Sequence, residues 1–370
     1  MTTTGKQIFT TLESDGTLTV EVATSEFPEP KGNQVLVKME AAPINPSDLA
    51  LLFGQADLDN ADYSEGKIVA KMPEPFNSGS KGRHGQRMPV GNEGAGEVIA
   101  TGESDAAKAL MGKRVSCVPG TAYAEYAIAD ANMCLPLGDI SSKDGASAFV
   151  NPMTALGFVE TAKMEGFKAI VHTAAASNLG QMLVRICQED GIPLVNIVRR
   201  QEQVDVLKGI GAEHIVNSSD DDFMKQLRTA IDETDAFFGF DPIGGGKMVD
   251  HCFKAMEQVA VSKMTDYNRY GSNQQKKMYI YGRLDLGATV LSPSYGFGWT
   301  LSGWLLTPFL QNAGMETVMR MRKRVLDNLT TTFKSDYAKT VTLEGMLEKD
   351  AVLQYRQMRT GEKYLVTPHG

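Results

Sequence analysis

From residue 169 to residue 281, apolar runs of strand length alternate with segments of helical period. The runs are Ala169-Ile170-Val171-His172-Thr173, Leu194-Val195-Asn196-Ile197-Val198, His214-Ile215-Val216, Ala236-Phe237-Phe238-Gly239-Phe240 and Met278-Tyr279-Ile280-Tyr281. Between the first two, Leu179, Met182, Leu183 and Ile186 recur at helical spacing and complete a βαβ unit of the expected ~30 residues. Such alternation predicts an α/β domain, a parallel sheet covered by helices. The chain before residue 150 has a different texture. Val35-Leu36-Val37-Lys38-Met39-Glu40 follows a turn cluster at 28–33, and short runs at 97–100, 114–118 and 124–128 repeat the pattern. Short strands at short spacing predict a small barrel or sandwich. At 370 residues, two domains are the expectation. An amphipathic helix after Gly303 carries Met315, Val318, Met319, Arg322, Val325 and Leu329, and Lys363-Tyr364-Leu365-Val366 reads as a last strand. Two polar segments, residues 55–87 and 262–277, read as insertions that serve as lids or linkers.

Composition narrows the function classes. Hydrophobic residues make up 42% and charged residues 22%, the balance of a globular protein, and the net charge of −8 argues against nucleic-acid binding. The four cysteines, Cys117, Cys134, Cys187 and Cys252, are scattered, so neither a metal site nor a disulfide framework is expected. The polar start and the lack of any run near ~18 apolar residues predict a cytoplasmic protein with no membrane partner.

The segment after the first α/β strand, Thr173 to Gly180, is built of small residues. Ala175, Ala176, Ser177, Asn178, Leu179 and Gly180 would let backbone approach a pyrophosphate seated on the positive end of the next helix, although tight packing alone explains such a turn equally well. The second strand ends in Val198-Arg199-Arg200. Enzymes that use NAD place an acid there for the ribose 2′-hydroxyl, whereas Arg199 and Arg200 would pair with the 2′-phosphate of NADPH. A solvated basic strand end is the competing reading. Gly244 and Gly245, after the strand ending at Phe240, fit close passage of a nicotinamide ribose or a plain turn.

In order along the chain, Ala42-Pro43-Ile44-Asn45-Pro46-Ser47-Asp48, Val90-Gly91-Asn92-Glu93-Gly94-Ala95-Gly96-Glu97-Val98, Val150-Asn151-Pro152-Met153-Thr154-Ala155-Leu156, Asp241 to Gly246 and Thr360-Gly361-Glu362-Lys363 resemble the medium-chain dehydrogenase/reductase superfamily, in its zinc-independent quinone oxidoreductase and enoyl reductase branch. The resemblance implies a Rossmann doubly wound parallel sheet over residues 152–306. It also implies a GroES-like β-barrel catalytic domain from residues 1–151 and 307–370, an active site between the two, and a homodimer joined at the Rossmann sheet edge. By the same resemblance Asn45 is the candidate polar group near nicotinamide and substrate, with a satisfied turn residue as the alternative. Asn151 and Thr154 would touch the cofactor. Tyr63, downstream of Asn45 but inside the first insertion, is a candidate donor of a proton or hydrogen bond. Zinc-dependent relatives use Cys and His ligands and a Cys-rich lobe; here Asn45 and Asn92 stand at the ligand positions, His84 is the only histidine before residue 150, and no metal is expected.

Without a Lewis acid, reducing a conjugated C=C bond or a quinone is easier than oxidising an alcohol. Three functions fit. The first is NADPH-dependent reduction of a quinone or small α,β-unsaturated carbonyl; the second is NADPH-dependent reduction of 2-enoyl thioesters, which the Ser- and Asn-containing phosphate loop resembles. The third is a non-catalytic NADPH-binding role of the lens crystallin kind.

Overall fold

The computed structural model describes residues 2–370, which form two units: the chain through Val150 together with Arg322–Gly370, and Asn151–Met321. The second crossover falls at 321/322, whereas the sequence suggested 306/307. Aromatic packing keeps the intervening residues with the second unit, where Trp304 and Phe309 stack at 5.5 Å and Trp304 lies 4.8 Å from Phe158. Arg320 also pairs with Glu160 at 2.7 Å.

In the second unit six strands form one parallel sheet in the order His214–Asn217, Leu194–Val198, Ile170–Thr173, Phe238–Asp241, Lys276–Ile280 and Trp299–Gly303. The chain starts at Ile170–Thr173, builds outward to one edge, then returns to build the other half. The carboxyl ends of Ile170–Thr173 and Phe238–Asp241 therefore flank the switch point, where open α/β sheets bind their ligands. Helix Asn178–Asp190 begins with Ser177, whose Oγ accepts the Gly180 N–H, and ends at Gly191 in the left-handed conformation. Its buried face, with Leu179, Met182, Leu183 and Ile186, is the one its periodicity predicts.

The first unit contains two sheets. The five-stranded sheet runs Asp62–Ser64, Lys67–Lys71, Thr17–Phe27, Thr3–Leu12 and Met88–Pro89. The seven-stranded sheet has Gln34–Pro43 at its centre, paired with Gly94–Thr101, with Tyr126–Asp130 and with Tyr364–Val366. The last of these strands explains why both ends of the chain build one unit. Residues 55–87, expected as a lid or linker, are instead built into it: two of their strands extend the first sheet, and Leu58, Ile68, Ala70 and Met72 enter the core. Among the described residues no helix is long and apolar enough to cross a membrane.

Candidate active site

In the second unit, the small-residue segment makes a tight turn at the switch point. Ala174 has a left-handed φ of 50°, and the Ala175 N–H donates to the Ile197 carbonyl at 3.1 Å. Ala175 and Ala176 are buried, so their small side chains serve packing. Gly180 is the sterically demanded position, because a Cβ there would lie 2.1 Å from the Ala175 carbonyl oxygen. Backbone of the turn and helix thus come together as a phosphate-binding segment requires. Asn178 and Leu179 open the helix; Asn151 and Thr154 lie buried in helix Val150–Met164.

Arg199 and Arg200 follow strand Leu194–Val198 and are both exposed. The Arg199 backbone is fixed by its N–H to Gln203 Oε1 at 3.1 Å and by Ser219 Oγ, which donates to its carbonyl at 2.8 Å. Neither guanidinium forms an ion pair among the described residues. At the end of Phe238–Asp241, Asp241 accepts hydrogen bonds from Thr173 Oγ1 and from the Gly244 N–H, the latter at 2.8 Å, while burial pushes its carboxyl up. Gly244 has φ 78°, and a Cβ would lie 2.9 Å from the Gly282 carbonyl; at Gly245 one would lie 2.7 Å from Asp285. Close packing of two loops thus accounts for both glycines without a ligand.

The first unit holds Asn45 at the N-terminus of helix Pro46–Leu52, 1% exposed. Its N–H donates to Asp48 Oδ2 at 2.8 Å, and its Nδ2 donates to Glu93 Oε1 at 2.9 Å. Asp48 also takes the Asn92 N–H at 2.8 Å, and burial pushes its carboxyl up to about 6. A carboxylate can only accept, so Glu93 turns the NH2 group of Asn45 toward itself. Asn45 and Asp48 form a capping box in which the Asn45 side chain faces the Asp48 N–H, but the buried Oδ1 completes no hydrogen bond of full geometry. A buried unpaired acceptor costs about 1–3 kcal/mol unless something donates to it.

Glu93 is a site residue that the sequence reading quoted but gave no role. Its Oε2 accepts the N–H groups of Phe149 and Val150, both at 2.9 Å. The available signal was a carboxylate inside the small-residue run Gly91-Asn92-Glu93-Gly94-Ala95-Gly96, where a buried charge must find partners.

Tyr63 lies elsewhere in its hydrogen bonding: its hydroxyl donates to the Leu58 carbonyl at 2.8 Å, and Lys349 Nζ sits 5.7 Å from its ring centre. The second insertion borders an open depression of about 780 Å³, with Arg269 stacked over Tyr270 and Tyr267 extended into solvent. Among the described residues no group of three or more His, Cys, Asp or Glu side chains could hold a metal ion.

Residues 31–139 match the alcohol dehydrogenase GroES-like domain. The mitochondrial enoyl-[acyl-carrier-protein] reductase of Bos taurus is 28% identical over 210 residues, covering 54% of this chain and 49% of the relative. The chain thus matches about half the length of these curated relatives. An assigned NADPH:quinone reductase of Mesorhizobium loti aligns with TM-score 0.75 and 26% identity over 99% of this chain and 98% of its own. Escherichia coli quinone oxidoreductase, solved with NADPH, aligns with TM-score 0.71 at 16% identity over 99% of this chain and 100% of its own, a likeness of fold. The parallel dinucleotide-type sheet, the GroES-like segment and these similarities agree: in fold and in sequence the chain resembles the medium-chain dehydrogenase/reductase superfamily.

Proposed function

We propose that the chain is an NADPH-dependent oxidoreductase that reduces a quinone or small α,β-unsaturated carbonyl compound without zinc. The observation that carries this reading is the exposed, unpaired Arg199–Arg200 at the end of the second strand of the parallel sheet. An acid at this point would repel a 2′-phosphate, whereas a guanidinium binds it through two parallel hydrogen bonds. The turn 174–180 would take the pyrophosphate at the positive end of helix Asn178–Asp190. Asn151, Thr154, Gly244 and Gly245 are proposed as further cofactor contacts. NADPH, when bound, supplies the hydride.

The protein's task is orientation and exclusion of water. Asn45 was expected as a polar group near the nicotinamide and substrate, with a satisfied turn residue as the alternative. Its free valence is an acceptor, however, which suits an N–H or O–H donor such as the nicotinamide carboxamide better than an oxyanion. Tyr63 would serve as proton donor on exchanging the Leu58 carbonyl for substrate. A second reading, reduction of enoyl thioesters, is favoured by the similarity to mitochondrial enoyl reductases over half the chain. A cytoplasmic homodimer is part of the same proposal.

The test is direct. Arg199→Asp should weaken NADPH binding by about tenfold or more while changing NADH affinity little; equal effects on both coenzymes remove the phosphate pairing. NADPH oxidation against 1,4-benzoquinone, an alkenal and crotonyl thioester then ranks the substrate classes. Tight NADPH binding with no turnover on any of them points to a non-catalytic role.

A further inference from the structure

One edge of the seven-stranded sheet in the first unit carries two thiols to which the reduction, as proposed, gives no part. Leu135–Pro136 is the edge strand and pairs antiparallel with Arg114–Cys117, Leu135 opposite Ser116 and Pro136 opposite Val115. One residue earlier Cys134 is still extended, with φ −97° and ψ 140°, so the same register sets it opposite Cys117. The Leu137 N–H donates to the Arg114 carbonyl at 2.9 Å, which marks those two residues as a hydrogen-bonded pair. Hydrogen-bonded and non-hydrogen-bonded pairs alternate along an antiparallel ladder, so Cys134 and Cys117, an odd number of steps away, are a non-hydrogen-bonded pair. In such a pair the side chains share one face and the Cα atoms stand about 4.5 Å apart, within the roughly 4.4–6.8 Å that a disulfide spans. Both side chains lie in one hydrophobic core together with Val115, and both are free thiols.

We propose that Cys117 and Cys134 are a modification site: a hydroperoxide oxidises them to a cross-strand disulfide that locks this sheet edge, and a dithiol opens it again. Cys134 reacts first. It adjoins a two-residue strand at the sheet edge and follows the exposed Met133, whereas Cys117 lies on the strand behind. Arg322 donates to the Asn132 carbonyl through Nη1 and to the Cys134 carbonyl through Nη2 at 2.8 Å, which brings a guanidinium to this residue. Burial pushes the Cys134 thiol up to about 12 while Arg322 pulls it back, and burial followed by Cys134 pushes the Cys117 thiol well up. Both thiols are therefore quiet in the closed fold. Oxidation follows brief opening of the short edge strand, which a two-residue ladder holds.

In the first step the Cys134 sulfur attacks one peroxide oxygen. The S–O bond forms, the O–O bond breaks, and an alcohol (water, when the oxidant is hydrogen peroxide) leaves with the thiol proton. In the second step the Cys117 sulfur attacks the sulfenic sulfur of Cys134. The S–S bond forms, the S–O bond breaks, and water leaves with the second thiol proton. The two sulfurs together give up two electrons, and the hydroperoxide takes them. The bridge ties Leu135–Pro136 to Arg114–Cys117, and Cys117 is paired on its other side with Gly94, so the lock adjoins the segment that carries Glu93. A Cα separation at the short end of the usual range strains the bridge, which keeps it reducible.

The experiment incubates full-length native protein with hydrogen peroxide at room temperature and again a few degrees below its melting temperature, where the edge strand opens most. Remaining thiols are blocked with iodoacetamide, and the unreduced protein is digested and mapped by mass spectrometry. The expected product is one linked pair of peptides, holding Cys117 and Cys134, two hydrogens lighter than their sum and separated by dithiothreitol. Linked protein should melt about 5–10 °C higher than reduced protein, because the bridge removes freedom from the unfolded chain, and dithiothreitol should return it to the native value. Cys117→Ala and Cys134→Ala should each lose both the linked peptides and the shift. Should a variant not fold, the linked pair in native protein decides by itself. No link at either temperature, a link through Cys187 or Cys252 instead, or Cys134 oxidised beyond the sulfenic acid while Cys117 is still alkylated overturns the inference. Linked protein that melts no higher than reduced protein overturns the lock.

Discussion

Gly180 has no space for a side chain, since an added Cβ would sit 2.1 Å from backbone oxygen of Ala175. Neither the turn nor the first turn of helix Asn178–Asp190 can yield without breaking the Ser177 cap or the Ala175 bond to Ile197. Gly180→Ala should therefore destabilise the protein by about 1–3 kcal/mol and weaken NADPH binding together with it; a variant that melts and binds like native protein would show that the turn is slack. The site was legible to different depths for physical reasons. Arg199, Arg200 and the small-residue turn were readable because strand and helix periods place them. The direction of the Asn45 amide was not, because it depends on Glu93, 48 positions away. Gly244 and Gly245 were visible as glycines, but spacing cannot distinguish a ligand from the neighbouring loop at Gly282 and Asp285.

At the scale of single elements, the central strand Ile170–Thr173 carries an ionisable group held neutral. His172 is fully buried, its Nε2 lies 2.8 Å from the Tyr281 hydroxyl, and burial drives its pKa down to about 3. The unfolded chain takes up this proton below its ordinary 6.5, and the native protein does so only near 3. Stability is thus fully present above pH 6.5 and falls as pH drops through that window, by up to about 1.4 kcal/mol per pH unit. His172→Gln should melt with a shallower acid-side decline between these limits; parallel curves for the two proteins mean His172 already titrates in the native state. The second insertion is anchored by a buried ion pair. Lys276 Nζ lies 2.7 Å from Glu257 Oε2, and both Glu257 oxygens accept from Ser272. Removing one partner leaves an uncompensated buried charge, so Lys276→Met should cost about 3–5 kcal/mol, and Lys276→Met with Glu257→Leu should recover most of it. A double variant no more stable than the single one would show that the loop is held by other contacts. The sequence reading caught the apolar central strands and missed Trp299–Gly303, because an edge strand needs only one covered side and its Thr, Ser and Gly give no apolar run.

For the molecule as a whole, that same edge strand bears on assembly. Trp299–Gly303 pairs on one side with Lys276–Ile280, and among the described residues its other side has no strand partner. None of the usual protections is present: the strand contains no proline, no lysine and no bulge. Phe297 just before it is 84% exposed and Leu305 just after it 63%, so apolar surface flanks an open row of backbone donors and acceptors. A two-fold axis across the edge would pair the strand antiparallel with its own copy and bury both side chains at once, since such an interface uses the same patch twice. The expected solution species is therefore a dimer of twice the 40.2 kDa chain mass by light scattering. Phe297→Asp combined with Leu305→Asp should give a monomer with unchanged secondary structure, because paired carboxylates from both copies would face each other where apolar surface was to be buried. A native protein that stays monomeric across the micromolar range, or a double variant that keeps the native mass, excludes pairing through this edge.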